Sequence, residues 1–471
     1  MCLEVLYRPH LSWASVREDW GHSPVTARLR HYRRWLAILV AVSFCATAAH
    51  WSRLSGQATV TPEVLEDGNG RRWYRGNLHT HTHWSDGDDY PEMVALWYRD
   101  HGYQFLAMTD HNVMQVGKRW VDLGRTKGGL VALKKLKERF PGDWVETRER
   151  DGKSEIRLKT LPEIASRVEL MGEFLLLHGE EISDHFEKFP LHMNVTNIQE
   201  VILPHGGNSV VEALQANIDA VADQRERTGR PMMIHLNHPN FGFAVRAEDL
   251  MRIRGTKFFE VYNGHPGVYN SGTKDHPGTE RLWDIALARR LSDLRLPLLY
   301  GLAVDDGHNY HKIPSRASEP GRGWVMVLSD ELTPDAIVTA MERGHFYSST
   351  GVRLKRIVSS DRVLQVNVDP DPDVTYEIAF IGTHAGFDRK TTPPPLYRGK
   401  PLHTTEKYSQ DVGVTLKTVN GIEGRYLLAD DDLYVRAVVT SSRKHPNPSE
   451  LGEFERAWVQ PVRGPAAVEP E

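Results

Sequence analysis

The chain has 471 residues, of which 40% are hydrophobic and 25% charged, and its formal net charge is −4 at pH 7. This composition is ordinary for a soluble globular protein, and the length exceeds one typical hydrophobic core, so two domains are expected. No basic stripe dominates the sequence, which argues against a long nucleic acid as a partner but leaves small nucleotides open as substrates.

Residues 1–50 are predicted to be an amino-terminal extension that ends in a signal peptide. Four arginines between positions 28 and 34 precede an apolar run at 36–49, which is too short to span a bilayer comfortably but suits a signal-peptide core. Ala46-Thr-Ala48 fits the small-x-small cleavage pattern. The protein is therefore expected to be periplasmic or extracellular, with no stable membrane span beyond this segment. Retention of the same segment as a membrane anchor is the alternative.

Both cysteines, Cys2 and Cys45, lie in this leader. A cleaved protein would contain no thiol, so it would form no disulfide and no thiolate metal site. Imidazole and carboxylate groups would remain as ligands, and these suit zinc, manganese or iron.

Strand signals alternate with helical signals from about residue 72 to residue 350. A strand is predicted at 73–82 and a helix at 91–101, and further apolar runs lie at 105–109, 174–177, 232–234, 258–262 and 298–303. This alternation is typical of an α/β fold with a parallel sheet. Residues 117–160 are rich in Lys, Arg and Glu and are predicted to be an inserted helical excursion.

Metal-binding side chains follow these strands in six clusters. Ligands collect at the carboxyl ends of parallel strands, and side chains at positions i and i+2 of a strand share a face. A packed histidine would explain any single cluster, but it does not explain six clusters in the same arrangement. The sequence therefore predicts a multinuclear metal centre and a hydrolase. The nine side chains are His79, His81, Asp86, His111, Glu181, His192, His238, Asp306 and His308.

The pattern changes near residue 352, where apolar and polar residues begin to alternate at period two between turns rich in Gly, Pro and Asp. Residues 351–463 are predicted to be a small β-sandwich domain. This segment contains none of the six clusters, so its expected role is packing support for a catalytic domain at 72–350.

The run His79-Thr-His81-Thr-His83-Trp-Ser85-Asp86-Gly87 resembles the opening motif of the PHP (polymerase and histidinol phosphatase) superfamily. Thr109-Asp110-His111, Gly179-Glu-Glu181-Ile-Ser183, Leu191-His192, His238-Pro239 and Asp306-Gly-His308 follow in that family's order. The resemblance covers roughly residues 72–310. Residues 344–351 and Trp458-Val-Gln-Pro461 are similar to the closing segments of a subgroup that resembles carbaryl hydrolases.

The resemblance implies a distorted (β/α)7 barrel that binds two or three divalent ions through the nine side chains above. It implies that Glu181, rather than Glu180, bridges two ions and is catalytic. Asp110 is a further predicted catalytic residue, expected to act by orienting a ligand imidazole as a hydrogen-bond acceptor. Asp305 competes with Asp306 as a ligand, but only Asp306 shares a strand face with His308.

The implied chemistry is hydrolysis by a metal-bridging hydroxide. The leaving-group proton would come from His83, His311 or a metal-bound water, and Lys274, Arg316 and Arg322 are candidates for holding an anionic substrate. Small phosphomonoesters or phosphodiesters are the expected substrates, which makes the chain a phosphoesterase. Carbamate or carboxylic-ester hydrolysis is one alternative, and a non-catalytic, metal-stabilised binding protein is another.

Overall fold

The structure is a computed structural model that describes residues 63–470. The predicted leader at residues 1–50, with both cysteines, lies outside the described residues. Within the described part of the chain, no helix has the length and apolar character needed to cross a membrane.

Strands dominate the described residues. The strands, in chain order, are β1 (Glu63–Glu66), β2 (Arg72–Asn77), β3 (Phe105–Met108), β4 (Arg119–Asp122), β5 (Thr147–Arg150), β6 (Lys153–Leu158), β7 (Leu175–Phe186), β8 (Phe189–Thr196), β9 (Met233–Leu236), β10 (Phe258–Asn263), β11 (Tyr300–Val304), β12 (Trp324–Ser329), β13 (Phe346–Ser349), β14 (Leu354–Ser360), β15 (Val363–Val368), β16 (Tyr376–His384), β17 (Leu396–Tyr397), β18 (Lys400–Pro401), β19 (Val414–Asn420), β20 (Glu423–Leu427), β21 (Asp432–Lys444) and β22 (Phe454–Arg463).

Seven α-helices connect or flank these strands in the described residues. They are α1 (Pro91–Asp100), α2 (Gly129–Arg139), α3 (Leu161–Val168), α4 (Val210–Thr228), α5 (Ala247–Leu250), α6 (Thr279–Ser292) and α7 (Pro334–Glu342). Side-chain caps begin some of these helices. Ser209, for example, accepts a hydrogen bond from the backbone N–H of Glu212 at the start of α4, and Gly229 ends that helix in the left-handed conformation.

The main sheet has 13 strands in the order β11-β10-β9-β8-β7-β3-β2-β12-β13-β22-β21-β16-β19. Strands β2, β3 and β7 are parallel to one another, as are β9, β10 and β11. The chain segments that follow β2 and β11 also meet. The backbone N–H of His81, after β2, donates a hydrogen bond of 3.0 Å to the carbonyl of Gly307, after β11. The carboxyl ends of the parallel strands therefore open toward one region. The fold is mixed α/β, and the closed seven-stranded barrel stays a prediction.

Strand β8 departs from the parallel layout expected from the sequence, because it is antiparallel to both β7 and β9. Only Glu187 and Lys188 separate β7 from β8, and so short a turn can join antiparallel strands but not parallel ones. Glu187 adopts a positive φ of 52° in this turn. Pairing in the hairpin places His192 opposite Ser183, beside the carboxyl-terminal part of β7.

The segment at 117–160 is not the purely helical excursion predicted from its charge pattern. It contains α2 and a separate three-stranded antiparallel sheet in the order β4-β6-β5. The alternating residues of β6 bury Ile156 and Leu158 against α2, while charged residues such as Arg150 and Lys153 stay on the outside.

Period-two alternation after residue 352 does correspond to strands. A second antiparallel sheet, in the order β1-β14-β15-β20, shares an apolar core with β16, β21 and β22 of the main sheet. The main sheet itself continues across the predicted boundary, because β13 pairs with β22 in the register Ser348 to Trp458. The described residues 63–470 all belong to one compact unit. The division at 350 and the β-sandwich domain stay predictions.

Candidate metal centre

The structure brings the nine predicted ligands together where the parallel strands end. They fall into four overlapping groups whose nitrogen and oxygen atoms lie within 4.8 Å of one another in each group. The groups are His81, Asp86, His111 and His308; His79, His81 and Glu181; His79, His238 and Asp306; and His111, Glu181 and His192. Shared members connect all four groups into a single site.

Glu181 lies at the middle of this site and is almost completely buried. Its Oε2 is 2.9 Å from Nδ1 of His111 and 3.2 Å from Nε2 of His81, whereas its Oε1 is 3.0 Å from Nδ1 of His192. Burial alone would raise the pKa of this carboxyl, but His111, His79 and His192 hold the pKa well below its usual value. The two oxygens face different sets of imidazoles, which is the arrangement that a bridging carboxylate requires.

Two aspartates approach the same imidazoles from other directions. Oδ1 of Asp306 lies 3.3 Å from Nε2 of His79 and 3.2 Å from Nε2 of His81. Oδ1 of Asp86 lies 3.2 Å from Nε2 of His308. Asp306 has a φ of 51°, which is uncommon for a residue other than glycine and often occurs at functional sites.

Several inward-facing atoms of the site lie close to one another but make no hydrogen bond of acceptable geometry. Nε2 of His79, Nε2 of His81, Oδ1 of Asp86 and Oε2 of Glu181 are buried and lack such a bond. Buried polar atoms in proteins are nearly always hydrogen-bonded, so four such atoms facing one another need another partner. Divalent cations fit the donor set, because imidazole and carboxylate groups suit zinc, manganese or iron.

Glu260 is a functional residue that sequence reasoning missed. Its Oε1 lies 2.7 Å from Nδ1 of His79, and its Oε2 accepts hydrogen bonds from the backbone N–H of His238 at 2.7 Å and from Asn263 at 2.8 Å. These contacts orient His79 with Nε2 toward the centre of the site. The available signal was a carboxylate at the middle of the fully buried strand β10.

Replacing Glu260 with glutamine is expected to lower the affinity of the site for divalent metal by about 10- to 100-fold, the usual cost of losing a partner of a metal-ligating histidine. The affinity would be measured by competition with a chromophoric chelator. Glu248→Gln is the matched control, since Glu248 is also buried but contacts the backbone N–H of Glu406. An unchanged affinity in Glu260→Gln would contradict the role assigned to Glu260.

An amide network supports the two central carboxylates. Asn237 donates to Oε1 of Glu181 at 2.9 Å and to Oδ1 of Asn194 at 2.9 Å. Asn263 donates to Oδ2 of Asp306 at 3.1 Å. These donors fix the carboxylate planes, so the ligand oxygens are oriented before any ion binds.

Asp110 lies beside the site without contacting a ligand imidazole directly. It accepts hydrogen bonds from the backbone N–H of Thr82 at 2.7 Å, from Ser85 at 2.6 Å and from Gln115 at 2.7 Å. The hydroxyl of Ser85 in turn lies 3.4 Å from Nδ1 of His81. Asp110 thus holds the turn that carries Asp86, and its predicted catalytic role stays a prediction.

The two histidines considered as proton donors are placed differently from the ligands. Nδ1 of His83 lies 3.1 Å from the carbonyl of Gly87, its ring packs edge-on against Tyr90, and burial lowers its pKa to about 4. Nε2 of His311 lies 2.7 Å from the carbonyl of Asp88. Neither histidine belongs to the four groups of metal-binding atoms.

The three cations predicted to hold an anionic substrate differ in their exposure. Arg322 is fully buried and bonds to the carbonyls of Gly264 and Ala317, so the structure contradicts its exposure to substrate. Lys274 is 89% exposed and pairs weakly with Asp275. Arg316 is also exposed.

Asp305, considered as a rival of Asp306, has its own partners. Its carboxylate accepts hydrogen bonds from the backbone N–H groups of Gly321, Arg322 and Gly323 and from the hydroxyl of Tyr98. These four donors account for both oxygens. Asp305 therefore orders the loop after β11, and Asp306 is the residue that faces the histidines.

A separate group of possible metal-binding atoms lies in the carboxy-terminal strands. Nδ1 of His384 is 3.0 Å from Asp432 and 3.4 Å from Asp431. Asp431 is exposed, and exposed acidic groups are common without a bound ion. We infer no ion at this position.

No family model and no curated protein matches the chain. Solved structures that are similar to it include a two-domain protein from Bacteroides vulgatus containing a predicted PHP-like metal-dependent phosphoesterase, with 12% identity, a TM-score of 0.36 and coverage of 86% of this chain and 100% of the other. PsfC from Pseudomonas syringae has 12% identity, a TM-score of 0.29 and coverage of 57% and 88%. An amidohydrolase from Chromobacterium violaceum with bound sulfate has 13% identity, a TM-score of 0.27 and coverage of 57% and 96%.

Proposed function

We propose that this chain is a metal-dependent hydrolase of small phosphomonoesters or phosphodiesters. The observation that carries the proposal is the convergence of nine imidazole and carboxylate side chains on one buried site, with Glu181 between them. A site for more than one divalent ion suits displacement at phosphorus, because both the attacking and the leaving oxygen carry charge in that reaction.

The overlapping groups indicate how this chain would hold two or three ions. The group with Asp86 and the group with His238 have no side chain in common. The group of His79, His81 and Glu181 connects them, because it shares His81 with the first and His79 with the second. Ions bound here would supply a nucleophilic hydroxide at neutral pH and would stabilise charge on the attacked oxygen. The nine side chains bind and orient, and the amides of Asn237 and Asn263 keep the carboxylates aligned.

An aromatic side chain covers one side of the site. The ring centroid of Phe241 lies 5.1 Å from that of His238 and 6.1 Å from that of His192, and Phe241 is partly exposed. The following residues, Gly242 and Phe243, both have positive φ, so the turn is held in an unusual conformation. Phe241 would exclude water from the side of the site near His192 and offer an apolar surface to the non-phosphate part of a substrate.

The motif resemblance supports placing the chain in the PHP superfamily, with the distorted (β/α)7 barrel and carboxy-terminal β-sandwich as parts of the same proposal. The signal-peptide pattern of residues 36–49 supports export, so the substrates would be small esters outside the cytoplasm. Zinc, manganese and iron all suit the donor set.

An assay of three substrates with Mn²⁺ or Zn²⁺ tests the reaction. Purified protein is expected to hydrolyse p-nitrophenyl phosphate, bis-p-nitrophenyl phosphate or both, and to leave 1-naphthyl N-methylcarbamate intact. Activity should disappear after chelation and return when metal is added back. Turnover of the carbamate alone would overturn the phosphoesterase proposal in favour of the carbamate hydrolase suggested by residues 344–351 and 458–461.

A further inference from the structure

The segment inserted between β3 and β7 reaches the rim of the metal centre through one lysine. Nζ of Lys127 lies 3.2 Å from Oδ2 of Asp86, whose other oxygen faces His308 and His111. Asp86 therefore has one oxygen toward the histidines and one toward Lys127. The Lys127 side chain is 54% exposed, so its ammonium group stays open to solvent.

The position of Lys127 is fixed by the packing of the segment that carries it. Ala132 and Leu136 of α2 join one apolar cluster with Trp84 and Tyr90, which flank Asp86 in the sequence. A Cβ on Gly128 would lie 2.0 Å from the carbonyl oxygen of Asp88, so only glycine permits this close approach of the two backbones. The insertion is built against the loop that supplies a metal ligand.

An ion pair from within α2 adds a second contact between the inserted segment and this loop. Nζ of Lys135 lies 2.5 Å from Oδ2 of the buried Asp89 and 3.3 Å from Nδ1 of His311. These contacts hold the backbone at Lys127 in a fixed position next to the loop that carries Asp86. Preorganisation of this kind reduces the entropy lost when a side chain binds a ligand.

We propose that Lys127 is the residue that recognises the anionic phosphoryl group of the substrate, an inference that rests on the proposed function. A metal ion held by Asp86 would share the negative charge of that carboxylate, which would leave the ammonium group of Lys127 available to another anion. A non-bridging phosphoryl oxygen at the rim would accept a charge-assisted hydrogen bond from Nζ. Lys127 would therefore favour anionic phosphoesters over neutral esters and carbamates, which carry no negative charge.

The charge of the substrate sets the size of the effect. A phosphomonoester dianion gains more from one added cation than a phosphodiester monoanion, because the Coulomb energy scales with the product of the charges. Lys127 is therefore expected to favour phosphomonoesters over phosphodiesters at this site.

The test compares Lys127→Ala with Lys134→Ala in full-length, metal-loaded protein. Lys134 is a matched control, since it lies on α2 of the same insertion, is exposed and pairs only with Glu138 at 3.8 Å. The measurements are the affinity for inorganic phosphate by calorimetry, kcat/KM for p-nitrophenyl phosphate, and metal content. Lys127→Ala is expected to lower phosphate affinity and kcat/KM by about 10- to 100-fold, the usual range for a charged hydrogen bond, with metal content unchanged.

Lys127→Arg should recover part of the loss, because it keeps the charge but changes the shape of the donor. Equal phosphate affinity in wild type and Lys127→Ala would overturn the inference, as would an equal loss in Lys134→Ala. A fall in metal content in Lys127→Ala would also overturn it, because Lys127 would then support the metal site rather than the substrate. If wild type hydrolyses no phosphoester but binds phosphate through Lys127, the inference stands and the proposed reaction fails.

Discussion

Glu181→Gln is expected to lower kcat by several orders of magnitude while the protein stays folded. Glutamine keeps the size of the side chain but replaces one ligand oxygen with an NH₂ group, which donates hydrogen bonds and cannot bind a cation. Because the two oxygens of Glu181 face different histidines, the loss of either oxygen separates the groups that share this residue. Turnover, metal content and thermal unfolding, measured on the same preparation, would check the result.

Glu180→Gln provides the matched control, because Glu180 is the preceding residue on β7 and is equally buried. Its Oε1 accepts a hydrogen bond from the backbone N–H of Ile202, away from the histidines, and burial raises its pKa to about 8. Because the Glu180 carboxyl is largely protonated, an amide in its place hardly changes the charge at this position. The activity of Glu180→Gln is therefore expected to stay within about twofold of that of wild type. Comparable losses in the two variants would contradict the role of Glu181.

The same pair of variants separates the enzyme from a metal-stabilised binding protein. In an enzyme, Glu181→Gln removes turnover that wild type shows. In a binding protein, wild type would be inactive over a broad panel of esters, and Glu181→Gln would change only metal content and stability. The second result would refute the proposed hydrolase.

The sequence allowed the nine side chains at the centre to be chosen because most of them follow an apolar run that becomes a strand or its continuation. The carboxyl ends of β2, β3, β9, β10 and β11 meet, so local position along a strand predicts location in the site. His192 is also a predicted ligand, but the parallel layout expected from the sequence did not include the antiparallel strand β8 that carries it. The turn at Glu187 and Lys188 contains neither the Gly nor the Asn that usually marks a tight hairpin, so the reversal before His192 was not visible.

Roles that depend on partners far away in the sequence could not be predicted from the sequence. Glu260 is recognised by its contact with His79, which lies 181 positions earlier in the chain. Arg322 was predicted to be accessible because it follows the last motif, but it is buried, and the turn after β10 and the loop after β11 supply its carbonyl acceptors at Gly264 and Ala317. Such roles depend on the tertiary arrangement of segments that carry no local signal of their own.

The insertion at 117–160 shows a similar limit. A high content of Lys, Arg and Glu is compatible with a solvated helix, which α2 confirms in part. The strand β5 has no apolar residue, and β6 alternates apolar and charged residues only at Ile156, Arg157 and Leu158, too few positions to separate a strand from a loop. The contact of Lys127 with Asp86 could not be predicted, because it depends on how this small sheet packs against the loop around Trp84.

Arg436→Met is expected to lower the free energy of unfolding by about 3–5 kcal/mol, the usual cost of breaking one partner of a buried ion pair. Arg436 on β21 is buried and makes a bidentate contact with Asp284 on α6, with distances of 2.8 Å from Nε to Oδ1 and 2.7 Å from Nη2 to Oδ2. It also packs over the ring of Trp283. Methionine would leave Asp284 charged and buried without its cation.

The contact joins α6, which lies between β10 and β11 in the chain, to β21 of the carboxy-terminal segment. Its loss is therefore expected to destabilise both parts of the molecule. Urea unfolding, followed separately by tryptophan fluorescence and circular dichroism, would give the free energy and show whether the two parts still unfold together. Arg443→Met is the matched control on the same strand, because Arg443 is partly exposed and pairs with Asp371 near the surface. Its loss should cost no more than about 1 kcal/mol.

The double variant Asp284→Leu with Arg436→Met separates lost attraction from an uncompensated charge. Apolar side chains of similar volume remove both charges, so the double variant should regain much of the stability that Arg436→Met loses. A cost below about 1 kcal/mol for Arg436→Met would mean that water or another group reaches Asp284, and the pair would then be no stronger than one at the surface. A double variant as unstable as the single one would instead assign the loss to packing against Trp283 rather than to the charge of Asp284.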